Sequence, residues 1–451
     1  MSGSSVAVVG AGWAGLTAAL VLARTGKSVV LIEAGAAPGG RARTLEIDGA
    51  RLDNGQHILV GACRHALAQM RAVGVNPLMA LHPVPFRLLM RRRIPDGDPE
   101  SFLLAPRSTR SRDLAAALYE AGTGIAMPRR LLGILGAWRM LRRPLGTDLT
   151  VAQWLRANWQ PGAWTERFWD PLCLAIMNTP PKEASAKIFQ GILRQSLLTG
   201  DSAARLLIPR KPLGELFAEP ALQQLESLGA TIRLATRVQG IQWMGDEGFL
   251  LELRDGESLS AEQLLLATPP RSTRRLLPDV PVLEPLKHAL GNFGERAICT
   301  IYLRYPKPLP ELPPMTGLLN QHGQWLLPRR LAGEPHWVAV VISAADTNPS
   351  VAADDRWRVV GRELAGTFPG LGEPDHGRVV CEKMATFDAR VGIEGLRPST
   401  RTALPGLYLA GDYCARGLPS TLEAAVQSGQ KAAAAAITDS VQELTPATRI
   451  P

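Results

Sequence analysis

The sequence is poor in cysteine and in aromatic residues, and it lacks a long apolar run. Aromatic residues make up 5% of its 451 residues, and no apolar run is long enough to cross a bilayer. The first residues lack the basic segment of a signal peptide, so none is predicted. The cysteines are odd in number and widely separated, with no pair at metal-ligand or redox spacing. This argues against a disulfide framework or a metal site and favours a reducing cytoplasm. They are Cys63, Cys173, Cys299, Cys381 and Cys414.

Positive charge is in excess, and the net charge is +9. Arginines cluster at residues 91–93 and again between residues 129 and 143. Charge alone would allow a nucleic-acid partner, but aromatic residues are few and no known binding module is visible, so no such partner is predicted. An anionic membrane surface or an acidic partner fits the charge better.

The N-terminal region has the pattern of a β-α-β unit. Residues 6–9 predict a buried strand, residues 16–24 a helix, and residues 29–33 a second buried strand. A unit of this length that opens with a glycine-rich turn is typical of a dinucleotide-binding fold.

The residues of the glycine-rich turn explain why it would bind a dinucleotide. Gly10 allows the tight turn after the strand, Gly12 lets the backbone approach a pyrophosphate, and Gly15 lets helix and strand pack closely. Ala14 lies in the same turn, where the free N–H groups of the helix attract phosphate. Glu33 ends the second strand, where a carboxylate would hold ribose hydroxyls. The sequence therefore predicts a dinucleotide site.

The length exceeds what one hydrophobic core usually supports, so two lobes are predicted. Short apolar strands return after residue 231 and again at 407–410, which predicts a discontinuous nucleotide-binding domain. The predicted fold class is α/β, a Rossmann-like domain beside a mixed helical and β-sheet substrate domain. The predicted segments are 1–80, 218–285 and 396–440 for the nucleotide-binding domain, 81–217 for a mainly helical region facing substrate or membrane, and 286–395 for the substrate-domain sheet.

Two segments resemble FAD-dependent amine oxidases and carotenoid desaturases. Residues 34–43 (AGAAPGGRAR) resemble the Gly-Gly-Arg segment of that superfamily, and residues 406–412 (GLYLAGD) resemble its closing motif. The resemblance implies an amine oxidase-like flavoprotein with FAD as its cofactor. It also implies that Gly40 and Arg41 lie against the FAD diphosphate.

The same resemblance implies further contacts with FAD. The Gly411-Asp412 pair would contact the cofactor, with Asp412 on the ribityl and phosphate region. Thr421 or Leu422, at the first turn of the last helix, would face the flavin pyrimidine edge. Val238 would meet adenine through its backbone, and the alternative is an ordinary core valine.

Three further segments narrow the resemblance. Residues 53–61 (DNGQHILVG), 170–185 (DPLCLAIMNTPPKEAS) and 417–423 (GLPSTLE) closely resemble the squalene-associated FAD-dependent desaturases, the hydroxysqualene dehydroxylases. One departure is Tyr413-Cys414, where a tryptophan after the aspartate is more usual. The resemblance covers nearly the whole chain and implies reductive conversion of hydroxysqualene, a long-chain isoprenoid alcohol, to squalene. Hydride from reduced flavin would reach an allylic cation after loss of the hydroxyl group.

That reaction requires an acid to protonate the departing hydroxyl group in a pocket that excludes water. Asp53 and His57 are the leading candidates, because their segment follows the diphosphate loop. A structural role stays open for both, since the Asp53 segment is also a good turn sequence and His57 could hydrogen-bond within the core. Cys173 and Asn178 are candidates for lining the substrate tunnel.

Residues 128–143 predict a basic amphipathic helix. Its apolar side chains would cluster on one face with most arginines opposite, a pattern common at membrane interfaces. The alternative is a surface helix that packs on the core. The expected location is the cytoplasm. Peripheral attachment to the inner face of the cell membrane is expected only if this helix lies at the membrane. The clustered side chains are Leu131, Ile134, Leu135, Trp138 and Leu141.

Two other functions fit the same fold. An oxidative carotenoid-type desaturase would transfer hydride in the opposite direction, from substrate to flavin, and pass the electrons to a quinone or oxygen. A non-catalytic prenyl-binding protein would have lost the cofactor, which Glu33, Arg41 and Asp412 argue against. An amine oxidase is less well supported, since residues 417–419 offer no aromatic side chain beside the ring. The electron donor is left open between a nicotinamide and a carrier protein, because no second nucleotide motif of comparable quality is present.

Overall fold

A computed structural model describes residues 5–94, 97–347 and 354–444. Within these residues the strands form a five-stranded sheet, a seven-stranded sheet and three smaller sheets. The strands are β1 (Ser5–Val9), β2 (Ser28–Ile32), β3 (Thr44–Ile47), β4 (Ala50–Asp53), β5 (Leu59–Val60), β6 (Leu81–Val84), β7 (Leu88–Arg92), β8 (Glu100–Leu104), β9 (Leu206–Pro209), β10 (Thr231–Arg233), β11 (Val238–Trp243), β12 (Phe249–Leu253), β13 (Ser258–Ala261), β14 (Gln263–Leu266), β15 (Glu295–Arg304), β16 (Thr316–Leu319), β17 (Trp325–Pro328), β18 (Trp337–Ser343), β19 (His376–Phe387) and β20 (Leu407–Leu409).

The helices connect these strands and build a separate lobe. No helix in the described segments is long and apolar enough to cross a membrane. The helices are α1 (Trp13–Arg24), α2 (Arg64–Ala72), α3 (Pro77–Ala80), α4 (Ser111–Glu120), α5 (Met127–Arg142), α6 (Val151–Ala157), α7 (Gly162–Trp164), α8 (Asp170–Met177), α9 (Ala186–Leu197), α10 (Asp201–Ala204), α11 (Glu219–Ser227), α12 (Pro270–Leu276), α13 (Glu284–Gly291), α14 (Arg356–Thr367) and α15 (Leu422–Leu444).

The five-stranded sheet is parallel and is covered on both faces. Its order is β10-β2-β1-β14-β20. Along β1, Val6 and Val8 pack into the core that contains α1 and α15, whereas Ala7 and Val9 pack into the core on the other face. Strands buried on both faces are apolar at every position, which explains the continuous apolar runs in the sequence.

The parallel sheet takes its strands from three distant parts of the chain. β1 and β2 come from the start, β10 and β14 from the middle, and β20 from near the end. The fold is therefore an α/β fold with a discontinuous nucleotide-binding domain, as the sequence predicted. The individual segment boundaries stay predictions.

The seven-stranded sheet differs from the prediction in one respect. Its order is β19-β15-β18-β17-β16-β7-β8, so β7 and β8 belong to it. The region 81–217 was predicted to be mainly helical, but it begins with three strands, and its helices start at Ser111. The partner that fixes β7 is β16, more than 200 residues away, with Met90 opposite Gly317. Such a distant partner leaves no local signal in the sequence.

The helical lobe spans α4 to α10, and side-chain caps mark two of its helices. Thr150 and Gln153 form a reciprocal capping box at the start of α6. Ser185 Oγ accepts a hydrogen bond from the backbone N–H of Ile188 at the start of α9. Each cap satisfies N–H groups that a helix terminus otherwise leaves unpaired.

One disulfide was not foreseen from the cysteine spacing. Cys299 on β15 lies directly opposite Cys381 on β19, with Cα atoms 4.1 Å apart, and the two are bonded. The odd cysteine count argued against a disulfide framework, but the strand register brings this pair together. The other three cysteines are free.

Candidate functional site

A cavity of about 330 Å³ lies at the carboxyl edge of the parallel sheet. Carboxyl edges of parallel strands are the usual place for a ligand in α/β folds. The lining includes eleven of the twelve residues predicted to bind a cofactor, together with His57. They are Gly10, Gly12, Ala14, Glu33, Gly40, Arg41, Val238, Gly411, Asp412, Thr421 and Leu422.

Each of the three glycines in the turn is required for a different structural reason. Gly10 has φ of +107°, and a Cβ there would lie 2.7 Å from the carbonyl oxygen of Ala267. A Cβ on Gly15 would lie 1.9 Å from the carbonyl oxygen of Gly10, so Gly15 serves helix–strand packing and is not part of the lining. Gly12 has φ of −75° and open space where its Cβ would be. Gly12 is thus the position that leaves room for a ligand.

The N-terminus of α1 begins at Gly12 without a side-chain cap and without an acidic residue in its first turn. The first N–H groups of a helix have no partner within the helix and carry a partial positive charge. Because these groups begin at the cavity wall, they suit a phosphate group.

Glu33 is held rigidly at the end of β2. Its Oε2 accepts a hydrogen bond from the N–H of Ala11 at 2.7 Å, and its Oε1 accepts one from the N–H of Gly35 at 2.7 Å. Both bonds keep the carboxylate at the cavity edge, where it would meet the hydroxyl groups of a ribose.

Arg41 and Asp412 form an ion pair across the cavity. Arg41 Nη2 donates to Asp412 Oδ1 at 2.7 Å, and Arg41 Nη1 donates to the carbonyl oxygen of Ala385 at 2.8 Å. Burial alone would raise the pKa of Asp412, but the charge and hydrogen bond of Arg41 outweigh it and hold that pKa below its ordinary value. The pair therefore ties the N-terminal loop to the C-terminal loop.

Arg397 is a site-supporting residue that sequence reasoning missed. It is 1% exposed, and its guanidinium donates to the carbonyl oxygens of Asp412, Tyr413 and Leu418. A buried guanidinium with several carbonyl acceptors fixes the loop that carries Asp412. An arginine within an irregular segment gives no sequence signal for this role.

The N-terminus of α15 also faces the cavity. Thr421 Oγ1 accepts a hydrogen bond from the N–H of Ala424 at 3.2 Å, and Leu422 is the first helical residue. Both side chains line the cavity. The positive end of this helix would stabilise negative charge on a bound ring.

The structure separates the two residues predicted as acids. His57 lines the cavity, whereas Asp53 is 1% exposed and does not. Asp53 Oδ2 accepts from Arg329 Nη2 at 2.8 Å, and its Oδ1 accepts from the N–H of Leu213 at 2.8 Å. Burial raises the pKa of Asp53, and Arg329 opposes that shift. Asp53 therefore has the surroundings of a buried structural ion pair.

His57 is held in its neutral form. Burial, with a smaller contribution from the positive charge of Arg41, lowers the pKa of His57 from 6.5 to about 4. At pH 7 its imidazole can donate and accept hydrogen bonds without adding charge to the cavity.

This depressed pKa predicts a loss of stability in acid. Between pH 6.5 and pH 4 the unfolded chain protonates this histidine while the folded chain does not, so protonation favours unfolding. The free energy of unfolding should fall by up to about 3 kcal/mol over that range through this group. Urea unfolding of the wild type and of His57→Gln at both pH values measures it. His57→Gln should lose this part of the pH dependence, whereas a matched His288→Gln change on the exposed face of α13 should keep it. Equal pH dependence in His57→Gln and the wild type would contradict the assignment.

Cys173 and Asn178 do not reach the lining of the cavity. Cys173 is fully buried, its Sγ lies 3.8 Å from the carbonyl oxygen of Thr179, and burial raises its pKa strongly. Asn178 ends α8 with φ of +48°, donates to Thr386 Oγ1 at 2.9 Å and accepts from the N–H of Ala344 at 2.6 Å. Asn178 thus joins the helical lobe to the seven-stranded sheet.

Glu382 is a cavity residue that sequence reasoning missed. It lies on β19 and lines the cavity, and its Oε2 accepts from Asn54 Nδ2 at 3.1 Å. It is the third carboxyl group of the lining beside Glu33 and Asp412. A single glutamate in a long strand carries no motif that would have identified it.

The residues present fit a dinucleotide cofactor. Gly12 leaves a space that a Cβ would fill, the uncapped end of α1 suits phosphate, and Glu33 suits a ribose. Arg41, from the N-terminal part of the chain, and Asp412, from the C-terminal part, form an ion pair in the cavity wall. This fold and this cavity define a dinucleotide-dependent oxidoreductase.

Comparison with known proteins gives the family. Residues 13–437 match the family described as flavin containing amine oxidoreductase, and the chain belongs to that family. It is an FAD-dependent oxidoreductase, so the non-catalytic alternative is not supported.

Individual relatives show which members of the family this chain resembles. The chain is 30% identical to a hydroxysqualene dehydroxylase of Sinorhizobium fredii, over 96% of this chain and 99% of the relative. It is 29% identical to one of Rhodopseudomonas palustris, over 95% and 97%. A 15-cis-phytoene desaturase of Glycine max is 23% identical, over 97% of this chain and 80% of its own. Cyclohexylamine oxidase from Brevibacterium oxydans shares the fold with a TM-score of 0.71 at 17% identity, over 98% of this chain and all of that one.

Proposed function

We propose that the chain removes the hydroxyl group of hydroxysqualene reductively to give squalene. The observation that carries the proposal is the similarity to hydroxysqualene dehydroxylases over nearly the full length of both chains. The 15-cis-phytoene desaturase of Glycine max is more distant, at 23% identity.

The reaction needs one proton and one hydride. The proton goes to the hydroxyl oxygen, the allylic C–O bond breaks and water leaves. Reduced FAD, when bound, supplies the hydride that forms the new C–H bond. The carbon is reduced by two electrons, and the cofactor is oxidised by two.

The chain's own residues would handle the proton and the hydroxyl group. His57 is neutral at pH 7, so it suits a hydrogen bond to the hydroxyl group better than transfer of a full proton. Among the carboxyl groups of the lining, Glu33 is held by two backbone N–H groups and Asp412 by Arg41. Glu382 accepts two longer hydrogen bonds, from Asn54 Nδ2 at 3.1 Å and from the backbone N–H of Met384 at 3.4 Å, and it is the proton donor in this proposal.

The aromatic residue of the closing loop supports this proposal over an amine oxidase. Tyr413 is fully buried, and its hydroxyl lies 3.0 Å from Thr273 Oγ1. It packs edge-on against Phe293 and does not line the cavity. An aromatic side chain beside the ring from this loop is therefore missing from the described lining.

Product analysis tests the proposal. The FAD-loaded protein is photoreduced without oxygen and incubated with hydroxysqualene. We expect squalene by gas chromatography, together with return of the absorbance of the oxidised flavin in equal amount. Reoxidation without squalene, or neither change, would overturn the proposed reaction.

The same assay tests the proton donor. Glu382→Gln should bind FAD as the wild type does but form squalene about a hundredfold more slowly. Glu373→Gln, at an exposed position just before β19, is the matched control and should be unaffected. A rate in Glu382→Gln equal to that of the wild type would remove Glu382 from the mechanism.

A further inference from the structure

Helix α5 packs through its small residues. Gly133, Gly136, Ala137 and Met140 are its buried positions. A Cβ on Gly133 would lie 2.6 Å from the ring of Trp164, and one on Gly136 would lie 1.8 Å from a backbone carbonyl oxygen. The glycine face is therefore locked against the lobe, and the helix cannot rotate to bury its larger side chains.

The larger apolar side chains of α5 point to solvent. Leu131, Leu135 and Trp138 are 54%, 53% and 52% exposed. Their spacing of four and three residues places them in one line along the helix, and we call them the α5 stripe. A soluble surface seldom leaves leucine and tryptophan aligned in this way without a partner. The sequence prediction that most arginines lie opposite the apolar cluster is wrong, since the opposite face carries the small residues.

The segment that carries the α5 stripe is basic. From residue 121 to residue 147 the sequence contains five arginines and no acidic residue. Arg142 follows Trp138 by one helical turn and is exposed. The guanidinium of Arg139 lies over the ring of Trp159 at 5.3 Å, and that ring is 43% exposed. Aromatic rings and arginines at the border of an apolar patch suit the boundary between lipid headgroups and acyl chains.

We propose that the α5 stripe docks on the surface of an anionic lipid bilayer. The helix would lie in the plane of the interface, with its leucines and tryptophan among the acyl chains and its arginines at anionic headgroups. A second copy of this chain is a poorer partner, because a two-fold contact through the stripe would bring the arginines of both copies together. The inference goes beyond the proposed reaction and does not depend on the identity of the substrate.

Vesicle binding tests the docking surface. The FAD-loaded full chain is centrifuged with vesicles of phosphatidylglycerol and phosphatidylcholine, and with vesicles of phosphatidylcholine alone. Leu135→Ser/Trp138→Ser should lower the partition coefficient on anionic vesicles about tenfold. Arg142→Gln/Arg143→Gln should lower it about fivefold for each charge removed. Trp243→Ser/Met244→Ser, at residues 41% and 45% exposed near the end of β11, is the matched control and should bind as the wild type does.

Several outcomes would overturn the proposal. One is equal partitioning of the wild type onto neutral and anionic vesicles, and another is equal loss in the stripe and control variants. A third is that the wild type sediments as a dimer at equilibrium and Leu135→Ser/Trp138→Ser as a monomer. The α5 stripe would then be a surface for self-association. Thermal unfolding of every variant shows whether a loss of vesicle binding comes from misfolding. Squalene formation in detergent shows whether the proposed reaction takes place without a membrane, so the two proposals can fail independently.

Discussion

Replacing Gly12 with alanine is expected to leave the fold intact and to weaken FAD binding about a hundredfold, which is about 2.7 kcal/mol. Gly12 has φ of −75°, which alanine adopts without strain, and no protein atom lies within 4 Å of the added Cβ. That space lies in the wall of the cavity, where the backbone must approach the diphosphate closely. Flavin absorbance after gel filtration and titration of the apoprotein with FAD measure the loss.

Gly15→Ala is the matched comparison, because it places the same methyl group one helical turn further along. There the Cβ would lie 1.9 Å from the carbonyl oxygen of Gly10, so α1 must move away from β1. We expect Gly15→Ala to lower the free energy of unfolding by about 3 kcal/mol. If Gly12→Ala unfolded as readily as Gly15→Ala, or kept wild-type affinity for FAD, the cavity would not be the cofactor site.

Asp53→Asn is expected to destabilise the fold by about 3–5 kcal/mol, because it leaves Arg329 charged and unpaired in the interior. Both side chains are buried, Asp53 at 1% and Arg329 at 4% exposure. Asparagine keeps the shape of the side chain but loses the charge that the guanidinium needs. Urea unfolding of the FAD-loaded protein measures the effect, and the midpoint should move well below that of the wild type.

An exposed ion pair is the control for this change. Asp375 pairs with Arg304 on the surface, so Asp375→Asn should cost less than about 1 kcal/mol. The comparison also decides the role of Asp53. A stable Asp53→Asn protein that binds FAD but forms no squalene would restore the catalytic interpretation and contradict the structural one.

The nucleotide half of the site could be predicted from the sequence because most of its residues lie close together in the sequence. The turn from Gly10 to Gly15 and Glu33, directly after β2, belong to one β-α-β unit, where the order of residues determines their geometry. Arg41 and Asp412 are distant in sequence, but each lies in a short motif. Each motif could be recognised in the sequence without knowledge of the other. In the structure Arg41 and Asp412 line the same cavity.

The remaining features depend on long-range pairing and could not be predicted. The ion pair of Asp53 depends on Arg329, which lies 276 residues later in the sequence. Glu382 reaches the cavity only through the register of β19 with β15, the same register that joins Cys299 to Cys381. Neighbours of this kind are set by tertiary packing, which local sequence patterns do not encode.

The late position of β20 has a consequence for biosynthesis. The glycine turn leaves the ribosome hundreds of residues before Asp412, and β14 has an unpaired edge until β20 is made. A nascent chain that has not reached β20 therefore holds only one of the two loops that the Arg41–Asp412 ion pair joins. Retention of the vitamin-derived cofactor therefore requires synthesis to have passed β20, so that Asp412 can reach Arg41.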